Sequence, residues 1–295
     1  YKGASPALAG ACAERSIGLV FFTPTGRFLV RASGRSQGNV LLRKIQYRIS
    51  DNTAASCLAA RCFIFGKLYN SRWCLERTAR DHTARVDAEK LKSASKFLAE
   101  ASREVLKTTD LDTLRGLEGQ AATEYFGAFD QMIINQKKSF SFTGRSRRPP
   151  LDRVNAMLSF GYRLLGSDCA AALESVGLDS YVGFMHRDRP GRESLALDLM
   201  EELRSVLVDR LVVTMINTHQ ISEREFCESE NGAVLLNDAG RKAYLKAWQT
   251  HKREEIVHPY LKEKIQWGLV PYVQSLLLAR YLRGDLDSYP PFLWK

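Results

Sequence analysis

The chain has 295 residues, 45% of them hydrophobic and 26% charged, a balance that suits a globular protein able to bury a core in one large domain or two smaller ones. No apolar run approaches the ~20 residues of a membrane-spanning helix, and the opening YKGASPALAGACAERS lacks the basic start and apolar centre of a secretory signal. The formal charge of +10 favours polyanionic partners, because cations that neutralise phosphates release condensed counterions.

In chain order, residues 5–16 read as a short helix. The runs GLVFFTP (18–24) and RFLVRAS (27–33) are rich in strand formers and are separated by Thr25-Gly26, which predicts a hairpin. Two strands alone are marginal, so they are expected to join a larger sheet, with further strands upstream of Tyr1 or in a second chain. The polar GRSQGN (34–39) is the candidate boundary between a small β domain (1–36) and a helical domain (37–295). Beyond it, apolar residues recur at helical spacing. This predicts helices over about 40–49, 53–80, 86–107, 111–136, 152–176, 193–219, 237–249 and 258–283. The predicted class is α+β, mainly α. Cys12, Cys57, Cys62, Cys74, Cys169 and Cys227 form no C-x-x-C pair, and reduced thiols in a cytoplasmic protein are expected.

The connection KKSFSFTGRSRRPPLDR (137–153) carries Lys137, Lys138, Arg145, Arg147, Arg148 and Arg153 against Asp152 alone. The basic side chains suit phosphate contacts, and Phe140 and Phe142 suit base stacking or wedging at duplex ends.

Three stretches carry candidate chemistry. In LRGLEGQAATEYFGAFDQMI (114–133), Leu114, Ala121, Ala122, Tyr125, Phe129 and Met132 form an apolar stripe, and Glu118 falls within it while Glu124 lies opposite. A carboxylate there is expected to be buried, and so paired, protonated or bound to a metal. His186 follows YVGFM (181–185), a β-like run, and precedes the turn-forming RDRPGR. On the next predicted helix Leu195, Leu199, Leu203, Val206 and Leu207 form the buried stripe, with Asp198 and Glu201 together to one side. One imidazole with up to three carboxylates suits Mg²⁺ or Mn²⁺ better than a structural zinc. Such an ion activates a hydroxyl and stabilises charge on phosphorus, while Arg187, Arg189 and Arg192 suit flanking phosphates. Between Asp198 and Glu201 as the further ligand, the residues leave the choice open.

The segments LRGLEGQAATEYF (114–126), RSRRPPLDRVNAMLSFGY (145–162) and GFMHRDRPGRESLALDLMEELR (183–204) resemble the CRISPR adaptation integrase, or Cas-one, family, with closest similarity to its type I-C branch. The likeness extends to residues 3–31, 38–48 and 267–295. It implies a small N-terminal β domain, with further strands before Tyr1, joined to a helical catalytic domain. It implies a metal site from Glu118, His186 and Glu201, with Asp198 as alternative or additional ligand. The implied activity joins 3′-hydroxyl ends of foreign DNA fragments to a CRISPR array by transesterification, and the same site run with water gives a nuclease. The implied assembly is two dimers of this chain bridged by a Cas-two dimer, with a Cas-four nuclease as a further partner. The alternatives are a stand-alone metal-dependent repair endonuclease and a non-enzymatic DNA-binding scaffold whose acids are structural ion pairs.

Overall fold

The computed structural model describes residues 3–15, 17–23, 28–32 and 39–295. After helix α1 (Pro6–Glu14), strands β1 (Leu19–Phe22) and β2 (Phe28–Ala32) pair antiparallel with Leu19 opposite Ala32. The Thr25-Gly26 turn and most of the 34–39 connector lie outside the described residues. Arg31 ties the hairpin to the helical body through ion pairs with Glu174 and, at 3.1 Å, Glu193.

The helical body is built on α3 (Thr53–Asp81), 29 residues and roughly 43 Å long. It is apolar on most sides, from Ala59, Phe63 and Ile64 to Leu68 and Leu75, as a helix buried by neighbours all round must be. Its neighbours include α2 (Val40–Asp51), α4 (Ala88–Lys107), α5 (Leu111–Ala128) and α7 (Ser194–Leu203). Gly66 is what lets α7 lie against it. A Cβ at that position would stand 2.9 Å from the Glu202 Cβ, so any side chain would force the helices apart. α6 (Arg153–Ser175) starts at Asp152, whose carboxylate accepts from the Asn155 N–H at 2.7 Å as an N-cap.

The expected single helix over 193–219 is continuous but not uniform. Residues Arg204–Asp209 form a π-helical turn between α7 and α8 (Arg210–Asn217). Such turns rotate the residues that follow and recur at functional sites.

Several expectations are corrected. The helix expected to run to 136 ends at Ala128 and tightens into a 3₁₀ turn, Phe129–Met132. The 181–185 run is not a strand, because its N–H groups are taken by a carboxylate rather than by a sheet, as described below. The strands β3 (Phe226–Glu228) and β4 (Val234–Leu236) are too short for a periodic signal and were not expected. α9 spans Asp238–Arg253. The helix expected from 258 begins only at Val270, as α10 (Val270–Leu282). Its first residues instead complete a hairpin between β5 (Glu255–Val257), which precedes the expected helix, and β6 (Lys264–Gln266), turned at Lys262 with φ 60° and closed by the His258 N–H donating to Glu263 O at 2.8 Å. No helix among the described residues is long and apolar enough to cross a membrane.

The last residues form an extended strap across α3 and α7. Asn70 of α3 donates to the carbonyls of Glu202 and Phe292 at 2.7 Å each, and accepts from the Trp294 N–H at 2.9 Å. Glu202 receives Tyr289 Oη at 2.5 Å, Gln274 Nε2 at 2.9 Å and the Phe292 N–H at 2.8 Å. Burial pushes the Glu202 carboxyl up to about 7, against the pull of those donors.

Candidate functional site

Asp198 organises the loop before it. One oxygen accepts the N–H groups of Phe184 and Met185 at 2.6 and 3.0 Å. The other accepts the His186 N–H at 3.0 Å and meets His186 Nδ1 at 2.6 Å. A strand would have used those N–H groups in a ladder; here a buried carboxylate takes them. Gly183 permits the approach, since a Cβ there would lie 2.9 Å from Asp198 Oδ2. Gln46 and Ser50 of α2 brace the same loop through the carbonyls of Asp179, Val182 and Gly183. With Asp198 ionised, Nδ1 carries the proton and Nε2 keeps its lone pair. Nε2 lies 3.9 Å from Glu201 Oε1. Both Asp198 oxygens already accept two contacts each, which leaves it no free direction for a metal.

Glu201 stands one turn further along α7 and is buried. Arg204 approaches its Oε1 at 3.0 Å and Lys67 Nζ its Oε2 at 2.7 Å. Burial alone would raise its carboxyl; Arg204, Lys67 and His186 overcome that and hold it at about 2. The Lys67 contact lies off the hydrogen-bonding directions, so Glu201 Oε2 is buried without a hydrogen bond. Lys67 also pairs with Glu118. Glu118 therefore differs from expectation. Its side chain is 22% exposed rather than buried, because the stripe faces α3 and α4 while Glu118 reaches the rim and meets an ammonium. Arg115 on the same helix donates to the Met185 carbonyl at 2.7 and 3.1 Å, fastening the Glu118 helix to the His186 loop.

Behind Glu201 is a buried polar chain that periodicity did not reveal. The guanidinium of Arg204 lies 4.8 Å from the Tyr162 ring centre. Tyr162 and Tyr125 donate to Asp209 at 2.5 and 2.9 Å. Burial raises the Asp209 carboxyl to about 6 despite the two hydroxyls. Lys67, Arg147, Tyr162 and Arg204 line a cleft of about 20 Å³ here, room for about one water. Lys67 itself had a signal in the sequence: it is the one cation in the apolar stretch CFIFGKLY.

The basic residues divide. Lys137, Lys138, Arg147, Arg148, Arg187 and Arg189 are exposed, and Arg192 is half-buried. Arg187 also pairs with Asp112 at 3.1 Å. Arg145 is turned inward, donating to Ser146 O at 2.7 Å and Ser159 Oγ at 3.1 Å and bonding to Asn155 at 2.5 Å. Its fork is therefore occupied by the chain and not offered to DNA. Phe140 and Phe142 are 0% and 5% exposed, so they do not stack bases. They pack on Phe226 and on Phe129, because burial of aromatic area outweighs any exposed role.

Among the described residues no three His, Cys, Asp or Glu side chains are gathered tightly enough to hold a metal as they stand. Glu118 and Glu201 nevertheless meet at the Lys67 ammonium, and His186 Nε2 comes within 3.9 Å of Glu201 Oε1 from a third segment.

The profile of the family described as "CRISPR associated protein Cas1" matches residues 2–250. A CRISPR-associated endonuclease Cas1 of Chlorobaculum tepidum is 50% identical over 291 residues, 99% of this chain and 85% of that protein. A Cas4 exonuclease/Cas1 endonuclease fusion of Geobacter sulfurreducens is 35% identical over 285 residues, 96% of this chain and 50% of the fusion. Two solved structures share the fold. A casposase bound to integration product has TM-score 0.84 at 22% identity, covering 99% of this chain and 79% of the casposase. A chain of a Cas6-RT-Cas1–Cas2 complex has TM-score 0.78 at 24% identity, covering 99% of this chain and 31% of that chain.

Proposed function

The chain belongs to the Cas1 family of CRISPR-associated endonucleases, and from that membership we propose how its site works. It is an integrase and endonuclease of CRISPR adaptation. The 3′-hydroxyl of a foreign DNA fragment attacks a phosphodiester at the leader–repeat boundary. A bond forms from that oxygen to phosphorus, the bond to the leader 3′-oxygen breaks, and the proton of the attacking hydroxyl ends on the leaving oxygen.

The observation that carries the site assignment is the pairing of Glu118 and Glu201 through one ammonium, with His186 Nε2 3.9 Å from Glu201 Oε1. An ammonium held between carboxylates is a stand-in for a divalent cation, and the buried Glu201 Oε2 makes no hydrogen bond and is paired with that ammonium alone. An O, O, N donor set suits Mg²⁺ or Mn²⁺. Glu118, Glu201 and His186 would hold the ion once Lys67 withdraws. When bound, it supplies Lewis acidity to a phosphoryl oxygen and acidifies the attacking hydroxyl. Asp198 fixes the His186 tautomer and the loop, a positioning role, so Glu201 rather than Asp198 is the further ligand. Arg204 keeps Glu201 ionised. Arg187, Arg189 and Arg192 beside His186, with Lys137, Lys138, Arg147 and Arg148 on the 137–153 loop, position phosphates.

The motif resemblance supports the type I-C branch and a division into residues 1–36 and 37–295. The Cas1–Cas2 complex and the Cas4–Cas1 fusion support assembly of dimers of this chain with a Cas2 dimer and a Cas4 nuclease. Six free thiols support a cytoplasmic setting.

The test is strand transfer of a fragment with free 3′-hydroxyls into a supercoiled plasmid carrying leader and repeat, with Cas2 present. Joined product is expected from the wild-type chain and is lost in Glu118→Ala and His186→Ala with DNA binding kept. Cleavage without joining would point to a stand-alone endonuclease. Joining that survives both substitutions and chelation would remove the metal site.

A further inference from the structure

A second polar cavity, of about 380 Å³, opens where the strap closes over the C-terminal half of α3. Its walls include Trp73, Arg77 and Arg80 of α3, Arg210 of α8, and Trp294 and Lys295 of the strap. Glu76 is the one carboxylate lining it, so the cavity is cationic. None of its lining residues belongs to the Glu118–His186–Glu201 cluster.

The way these cations are held is unusual. Arg210 lies 4.1 Å from the Trp294 ring centre and Arg77 5.3 Å, while Lys295 lies 4.4 Å from the Trp73 ring centre. An indole face stabilises a cation without using its N–H groups. The Arg210 guanidinium makes no hydrogen bond or close ion pair with any described residue; it lies against the Trp294 face, and Glu254 acts on it only from beyond ion-pair distance. Burial depresses its guanidinium below the ordinary value, as expected of a cation short of anions. Trp73 Nε1 is a further buried donor without a partner. Arg77 and Arg80 meet Asp81 on the outer rim, at 3.8 and 2.8 Å, and so are partly served. The need for an acceptor is therefore greatest at Arg210, inside the cavity. A guanidinium with free, planar donors beside two indoles matches an oxyanion of tetrahedral shape, and phosphate is the biological one that arrives with a stackable base.

We propose that this cavity is a phosphate-binding subsite that takes a phosphate of a single DNA strand, with Arg210 as its central donor. The phosphate chemistry stands on the cavity alone; that a DNA strand delivers it rests on the integrase reading. The subsite would hold a strand at a point away from the metal site, fixing the path of a fragment or target while joining occurs elsewhere.

Tryptophan fluorescence of the full chain tests this, because two of its four indoles line the cavity. The chain is titrated separately with inorganic phosphate, deoxyadenosine monophosphate and a single-stranded oligodeoxynucleotide, at two salt concentrations. The oligodeoxynucleotide is expected to give a saturable change. Its dissociation constant should rise about tenfold in Arg210→Met, with the salt slope reduced by about one, as for loss of one phosphate contact. Arg80→Gln on the exposed rim, which does not endanger folding, should weaken binding about twofold to threefold. Unchanged affinity and slope in both variants would overturn the subsite and leave the cations as a structural clasp. Saturation by free phosphate or the mononucleotide as tight as by the strand would keep the subsite and overturn DNA as its source. A wild-type chain that titrates but never joins DNA would overturn the integrase reading and leave the subsite standing.

Discussion

Lys67 serves two carboxylates with one ammonium, and that arrangement sets the behaviour of the metal-free protein. Removing it leaves Glu118 without its ion pair and Glu201 with Arg204 as its one close cation, and loss of one partner from a buried ion pair costs on the order of 3 kcal/mol. Lys67→Ala is therefore expected to melt earlier than wild type in chelator and to recover in Mn²⁺. Because no ammonium then competes for the place, calorimetric Mn²⁺ affinity should rise about tenfold or more; an affinity that falls would mean Lys67 shapes the site instead of filling it. Asp198→Asn tests the neighbouring role. It keeps the shape but cannot accept from Nδ1 and three N–H groups together, so joining should fall about 10- to 100-fold. Asp209 gives a pH signature. Its folded carboxyl is raised from 3.8 to about 6. A raised value means that its contribution to stability is complete below about pH 4 and is lost as pH rises through 6, on the order of 3 kcal/mol. Urea unfolding at pH 5 and pH 8 should show about half of that loss from Asp209, about 1.4 kcal/mol, which Asp209→Asn removes; Glu202, raised from 4.5 to about 7, adds a loss of the same sign that this variant keeps. Glu201, held at about 2, acts in the opposite sense and only below about pH 4.5, outside that window.

At the scale of elements, close contact overrides local preference. Alanine is favoured over glycine inside a helix by about 1 kcal/mol. At Gly66 the added Cβ would meet Glu202 at 2.9 Å. Gly66→Ala is thus expected to destabilise, by about 1–3 kcal/mol, in chemical denaturation; a gain would mean α7 moves away freely. The same competition explains what the sequence disclosed. Long runs such as 53–81, apolar on most sides, and the amphipathic 88–107 were legible because helical spacing persists over many turns. The π turn at 204–209 was not, since it keeps the apolar pattern while rotating Asp209 towards Tyr125 and Tyr162. The three-residue strand at 264–266 carries one apolar residue, too little to contest a helical reading that continues into α10, and its partner at 255–257 lies in a stretch with no expected element. Phe140 and Phe142 were read as exposed because charged neighbours surround them in sequence; packing on Phe226 and Phe129 decides otherwise.

For the whole molecule, the +10 charge argued for a polyanion, yet charge counted along a chain does not say which cations face solvent. The RSRR segment (145–148) shows the difference. Its residues carry like charges two and three apart, but Arg145 is bound by Asn155, Ser159 and Ser146, while Arg147 and Arg148 are exposed. The site followed the same rule. Glu118, His186 and Glu201 were singled out through position and motif, whereas the hold of Lys67 and Arg204 on the Glu201 carboxylate becomes visible only when α3 and α7 are laid together. DNA binding by the three arginines separates the two kinds of cation. Arg147→Gln and Arg148→Gln should each reduce the slope of log affinity against log salt by about one, with melting unchanged, as counterion release requires of a phosphate contact. Arg145→Gln should leave the slope near the wild-type value but destabilise the protein by about 1–3 kcal/mol, because buried acceptors on Asn155 and Ser159 lose a charged donor. If Arg145→Gln instead lowers the slope as much as Arg147→Gln, the loop must turn that guanidinium outward when DNA arrives. The inward position would then be the resting arrangement of a loop that refolds on its substrate.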